Sequence, residues 1–156
     1  MRFSVQVCLL CYLLNIPFAL ENPATSRIWL CPPVLALLRK KGIRHVDVDF
    51  CAFGKPWRKR TGFVYFGLQL DHLQSHVCQG SKRGFCAFTE QPHIPLMGVS
   101  SNGQFMTKIA EPYPHQLCRV LARAFLDWHT QVIADNFWKR LMPDGTAKQT
   151  AGSNAG

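Results

Sequence analysis

The apolar residues of this chain come in short runs closed by proline, glycine or asparagine, and this punctuation limits the fold more than any single motif does. Ile16-Pro17-Phe18-Ala19-Leu20 ends at Glu21-Asn22-Pro23. Short apolar runs bounded in this way suit buried strands of a mostly parallel sheet. Between Ile43 and Phe50, Val46, Val48 and Phe50 alternate with His45, Asp47 and Asp49, the period of two expected of a strand. Phe63-Val64-Tyr65-Phe66 predicts another. A helix is expected between the first two strands. Pro32-Pro33 suits its first turn, where an N–H has no partner to lose, and Val34, Leu35, Leu37 and Leu38 give it an apolar face. Gly42 can terminate it, behind Arg39, Lys40 and Lys41, whose charges complement the helix dipole. Strand, helix and strand in this order predict an α/β layer.

The remaining segments are less regular. Phe3 to Leu14 reads as an apolar helix or strand. Asp71 to Val77 predicts a short helix, and Cys78 to Thr107 a series of turns with a hairpin around Ser101-Asn102-Gly103. Leu117, Val120, Leu121, Ala124, Phe125, Trp128 and Val132 fall at helical spacing, with Pro114 placed at the start. These elements predict one domain over residues 1–142 with an insertion at about 70–110. Residues 143–156 are small and polar, and predict a disordered tail that buries too little surface to offset its ordering entropy.

Lysine and arginine outnumber acidic residues 18 to 9, a net charge of +9 that favours polyanionic partners, nucleic acid first. The loop from Asp49 to Arg60 concentrates this charge. Lys55, Arg58, Lys59 and Arg60 flank Trp57, a set that can clamp phosphates while an indole stacks on a base. The bland alternative is a solvated basic loop with Trp57 folded onto the core.

Seven cysteines, an odd number, cannot all pair within the chain, and their spacings form no disulfide ladder. A reducing, intracellular compartment, nuclear or cytoplasmic, is the expectation. The minority alternative is a small secreted protein, because Met1-Arg2 and the apolar run from Phe3 to Leu14 resemble a signal peptide ending near Ala19. That run is too short to cross a membrane, and no membrane partner is expected.

Three segments together resemble the cytosine-5 DNA methyltransferase family. Ile16 to Leu20 followed by Glu21-Asn22 stands where the family has a strand ending in Glu-Asn-Val. Gly54-Lys55-Pro56-Trp57-Arg58-Lys59-Arg60, ahead of Phe63 to Phe66, is similar to its arginine-bearing loop and strand. Glu111-Pro112-Tyr113-Pro114 followed by Leu117 to Phe125 is similar to its proline turn and helix. The segments keep the family's order from Ile16 to Phe125. The run Glu21 to Trp29 is also similar to methyltransferase-like proteins of mobile elements. The resemblance implies a partial Rossmann-like, methyltransferase-type sheet with flanking helices and a small insertion carrying cysteine and histidine. It implies that Glu21 assists attack on a flipped cytosine, that Asn22 holds the loop, and that Arg58 and Arg60 lie near base and phosphate. Aligning on Gly54 and Pro56 instead puts Lys59 and Thr61 in the arginine columns.

The departures from the family are equally informative. Its Pro-Cys nucleophile and its glycine-rich turn for S-adenosylmethionine lie upstream of Glu-Asn, where this chain has 20 residues and neither motif. Cys31-Pro32 has the reverse order and lies on the wrong side. The chain is therefore expected to be a truncated or split methyltransferase-like protein, inactive alone, that would use S-adenosylmethionine only if a partner chain supplied the missing half. The family's target-recognition interval is here short and rich in His72, His76, Cys78, Cys86 and His93, with Cys118 on the helix beyond. Cys78, Cys86, His93 and Cys118 predict a Cys3His zinc site, which makes a non-catalytic, zinc-stabilised nucleic-acid-binding module the alternative function. Cys118 can equally be a core residue on its apolar helix face, and His72 and His76 surface groups.

Overall fold

The computed structural model describes residues 2–80 and 85–141. Helix α1, Arg2–Leu13, stops where Asn15 turns left-handed at φ 54° and the Ile16 N–H donates to the Cys11 carbonyl at 2.8 Å. Strand β1, Phe18–Pro23, leads through a 3-10 turn, Arg27–Leu30, into helix α2, Pro32–Leu38, with proline in its first turn as expected. Strand β2 is Arg44–Asp49; a 3-10 turn, Phe50–Phe53, and the basic loop join it to β3, Arg60–Phe66. A 3-10 turn, Asp71–His76, a long irregular segment, the one-turn α3, Met106–Ile109, and the 27-residue α4, His115–Leu141, complete the described chain.

The α/β class holds, but the parallel, Rossmann-like sheet does not appear. The sheet has three strands in the order β1-β3-β2, and both neighbours of β3 run antiparallel to it. Only residues 50–59 connect β2 to β3, and a parallel pair needs a crossover of roughly a dozen residues or more. The strand carrying Glu21 starts later than expected and runs through Glu21, Asn22 and Pro23 instead of ending before them.

Strand alternation sorts the core into two layers. On one face, Val46, Val48, Phe63 and Tyr65 pack with Phe50, Phe53, Trp57, Leu68, Leu70, Leu73 and Leu117 of α4. On the other, Phe18 and Val64 pack with Cys8 of α1, Leu37 of α2 and Ile43. Tyr12 of α1 meets Phe66 edge to face at 4.9 Å between ring centres. The segment Phe3 to Leu14 is thus a helix that covers the sheet. Among the described residues no helix is long and apolar enough to cross a membrane.

Beyond His76 apolar burial is sparse. Phe88, Ile94, Met97, Val99 and Phe105 are all exposed, and three cysteines form a small buried cluster of their own. Val99 and Phe105 bridge around the turn at Ser101-Asn102-Gly103, as the sequence predicts. Helix α4 runs past the expected Val132 to Leu141. The expected tail, 143–156, lies outside the described residues.

Candidate metal centre and cationic cleft

The three buried cysteines lie in three separate segments. Cys51 sits in the 3-10 turn after β2, which Gly54 closes at φ 81°. That backbone conformation costs an L-residue about 1–2 kcal/mol, so glycine suits the position. Cys78 follows the third 3-10 turn. Cys86 opens a tight turn in which its N–H donates to the Gln91 carbonyl at 2.8 Å and its carbonyl accepts from Glu90 N–H at 3.0 Å. That turn brings His93 alongside.

The ligand atoms of Cys51, Cys78, Cys86 and His93 all lie within 4.8 Å of one another. Cys78 Sγ is 3.9 Å from Cys86 Sγ and 3.8 Å from His93 Nε2. A tetrahedron with metal–sulfur bonds of about 2.3 Å has sulfur–sulfur edges of about 3.8 Å. The separation is far too long for a disulfide, and all seven cysteines are free thiols. This group can therefore hold a metal ion.

Its electrostatics point the same way. Burial pushes the Cys51 thiol up, and its neighbours Cys86 and Cys78 add to the shift. Burial also pushes Cys86 up, but hydrogen bonds from the Thr89 hydroxyl, the Phe88 and Thr89 backbone and Cys51 outweigh it and bring it down to about 6. Backbone N–H groups aim at the sulfurs, Ala87 at Cys78 Sγ at 3.5 Å and Phe88 at Cys86 Sγ at 3.4 Å. Three thiolates in so small a space repel one another, and a cation at their centre is what lets all three ionise.

Three of the four expected ligands, Cys78, Cys86 and His93, come together here. Cys118 does not: it is exposed on α4, and Cys51 takes the fourth place. His72 and His76 also stay outside the cluster; His76 stacks on Phe53 at 5.0 Å between ring centres. Cys51 was hidden in sequence because its partner Cys78 is 27 positions away. The available signal was its place one residue beyond the alternation of β2, where a strand end presents side chains to whatever packs beside it.

Asp49 joins this cluster to the basic loop. Its carboxylate is fully buried and accepts from the Cys78 N–H at 2.8 Å, from Arg60 at 2.8 Å and from Arg58 Nε at 3.3 Å. Arg60 also donates to the Cys78 carbonyl at 3.3 Å. Both backbone polar groups of a ligand residue are therefore held by one ion-pair network.

The other residues of the loop are partly engaged. Lys59 Nζ donates to the Ala110 carbonyl at 3.1 Å and sits 5.0 Å above the Phe50 ring. Lys55 Nζ lies 5.6 Å over the Trp57 ring. Trp57 itself is 9% exposed and packed in the core, so its indole is not placed to stack on a base.

Arg58, Lys59 and Arg60 nonetheless line an open cleft of about 600 Å3 together with Thr25, Leu96 and Thr107. Three cations against the single Asp49 carboxylate leave two positive charges at this cleft.

Glu21 pairs with Phe63 in the sheet, two positions before Pro23, which lines the cleft, so both residues lie on the face that carries it. Burial and then a hydrogen bond with Glu21 push the Tyr113 phenol up. Asn22 points to the opposite face and donates from Nδ2 to the Glu21 carbonyl at 2.6 Å. Its role is local, within the strand. Among the described residues β1 is followed by Ala24-Thr25-Ser26, with no glycine-rich turn of the kind that holds S-adenosylmethionine.

Comparisons with known protein families, with curated proteins and with solved structures find no match for this chain.

Proposed function

We propose that this chain is a zinc-stapled α/β module that binds nucleic acid through its cationic cleft and performs no catalysis alone. The carrying observation is the Cys51–Cys78–Cys86–His93 cluster in a segment that otherwise has almost no core. Three soft thiolates and an imidazole within 4.8 Å of one another suit zinc above the other common divalent ions. With four protein ligands no position remains for a substrate, which is the pattern of a structural site. The metal would supply cohesion that the exposed Phe88, Ile94, Met97 and Val99 do not.

The nucleic-acid half of the reading rests on the net charge of +9 and on the cleft, which the exposed Arg58 and the half-buried Lys59 line together with Thr25 and Thr107. Recognition there is of phosphate, not of a base stacked on Trp57.

The methyltransferase-like ancestry remains a second reading, favoured by one feature: Glu21 lies on the sheet face that carries the arginine-lined cleft. On that reading a partner chain supplies the thiolate and the cofactor site, and Glu21 alone has no step to assist.

The test has two parts. Metal analysis of the purified chain should give one zinc per chain. Affinity for a labelled single-stranded oligonucleotide should fall with salt, by about 0.7 log units per log of salt for each phosphate contacted. The double variant Arg58→Gln with Lys59→Gln should flatten that slope by about 1.4. Zinc-free protein, salt-insensitive binding, or methyl transfer from S-adenosylmethionine by the chain alone would overturn the proposal.

A further inference from the structure

Resting on the reading above, we infer that metal and nucleic acid bind this chain cooperatively, because the metal holds one wall of the cleft and shares Asp49 with its floor. The floor is Arg58, Lys59 and Arg60. Two of these three grip Asp49, and Asp49 grips the backbone of the ligand residue Cys78. The lining also includes Leu96, here its wall, three residues after His93 of the cluster. Between them the Ile94 N–H donates to the Pro56 carbonyl at 2.9 Å, which ties the same segment to the basic loop. Floor and wall therefore meet at the metal cluster from two directions.

The segment has little else to hold it there. Its cysteine cluster is separate from both sheet cores, and apart from Leu96, which is partly buried against the first core, its large side chains Phe88, Ile94, Met97 and Val99 are exposed. Without the metal the Cys78 loop and the 85–96 segment lose the bonds that join them. The chain leading to Leu96 then samples more conformations, with only the packing of Leu96 and the Ile94–Pro56 bond to hold it, and an incoming phosphodiester must order it at the expense of affinity. With the metal bound this ordering is already complete.

Charge does not supply the coupling. Three thiolates and one Zn2+ would give the loaded site a net −1, close to Arg60, so the metal brings no positive charge to the cleft. The Arg60–Asp49 pair stands between that charge and the cleft. Ordering of the segment is what would couple the two ligands, and the coupling it gives is positive.

Linkage makes the inference testable from both ends, because the factor by which metal raises nucleic-acid affinity must equal the factor by which nucleic acid raises metal affinity. Binding of a fluorescent single-stranded oligonucleotide is measured at fixed salt on zinc-loaded, stripped and reloaded full-length protein. Affinity should drop about tenfold on stripping and return on reloading. Zinc affinity, measured by competition with a chromophoric chelator, should rise by the same factor when the oligonucleotide saturates the protein. Asp49→Asn should bind both ligands more weakly and reduce the coupling to less than about twofold.

Loaded protein that binds no oligonucleotide would overturn the nucleic-acid reading itself. Loaded and stripped protein that bind equally would leave that reading standing and overturn the coupling. Loss of the far-ultraviolet strand signal on stripping would also overturn the inference, since it routes the coupling through the wall of the cleft and not through global unfolding. If Asp49→Asn does not fold, the reciprocal measurement on the unaltered chain decides the question.

Discussion

At the scale of single residues, buried polar groups decide more than the basic loop does. Tyr65 is 1% exposed on the central strand and donates to Asp71 Oδ1 at 2.9 Å, and Asp71 also pairs with Arg44. Burial, and then the Asp71 hydrogen bond, push the Tyr65 phenol up to about 12 from 10. A phenol whose folded pKa is raised stabilises the fold fully below its unfolded value near 10 and loses that contribution as pH rises towards 12. The contribution is on the order of 2–3 kcal/mol. Denaturant midpoints should therefore fall as pH rises from 10 towards 12, and Tyr65→Phe should remove the Tyr65 share of that fall, leaving the shares of the raised Cys51 and Tyr113, while costing about 1 kcal/mol at neutral pH. Gly62 meets a steric limit on the same strand. A Cβ there would come within 2.8 Å of His45 Nε2 and 3.1 Å of the Trp29 ring. The His45 ring can swing aside, but the indole is rigid, so Gly62→Ala should lower stability by about 1–2 kcal/mol in chemical denaturation.

At the scale of elements, the sheet and the metal segment answer to different forces. The sheet is held by two apolar layers, whereas Cys78, Cys86 and His93 meet Cys51 in a cluster that could hold a metal ion. Cys51→Ala should abolish stoichiometric zinc binding and loosen amide protection after His76, while β1 to β3 stay protected in hydrogen exchange. Cys118→Ala should leave zinc content unchanged, and the pair of results separates the observed ligand set from the one the sequence spacing favours.

The contrast between these two regions also explains what could be read in advance. The alternation of Val46, Val48 and Phe50 marks β2 because a strand's periodicity is local, and Pro32-Pro33 marks α2 for the same reason. Strand direction is not local. Short apolar runs look alike in parallel and antiparallel sheets, and only the shortness of the link between β2 and β3 carries that information. The metal site divides in the same way. Cys78, Cys86 and His93 lie within one turn-rich stretch and were legible as a group, whereas Cys51 reaches them only through the packing of β2. Trp57 looked available because it sits among cations; it is buried in a core that also includes residues as distant in sequence as Leu117 and Ala110.

At the scale of the whole molecule, α4 belongs to the body for only part of its length. Leu117, Val120, Leu121, Ala124 and Trp128 face the core. Leu126, Ile133 and Phe137, seven and four residues apart, lie on the other side and are 59%, 56% and 56% exposed. Substituting Leu126 and Ile133 by Gln should shift the unfolding free energy by less than about 0.5 kcal/mol, because neither side chain supports the sheet. Leu117→Ala, at the buried end of the same helix, should cost about 2–5 kcal/mol. A thermal or denaturant series on the two variants checks both expectations.

The ligand spacing has one more consequence, for turnover. An ion gripped by Cys51, Cys78, Cys86 and His93 ties a strand end to a stretch of chain that leads on to α4. If the cluster holds zinc, loss of the ion should free the Cys86–His93 turn, and a single proteolytic cut there would sever the covalent path from the sheet to α4. The lifetime of the intact chain then reports the free zinc around it.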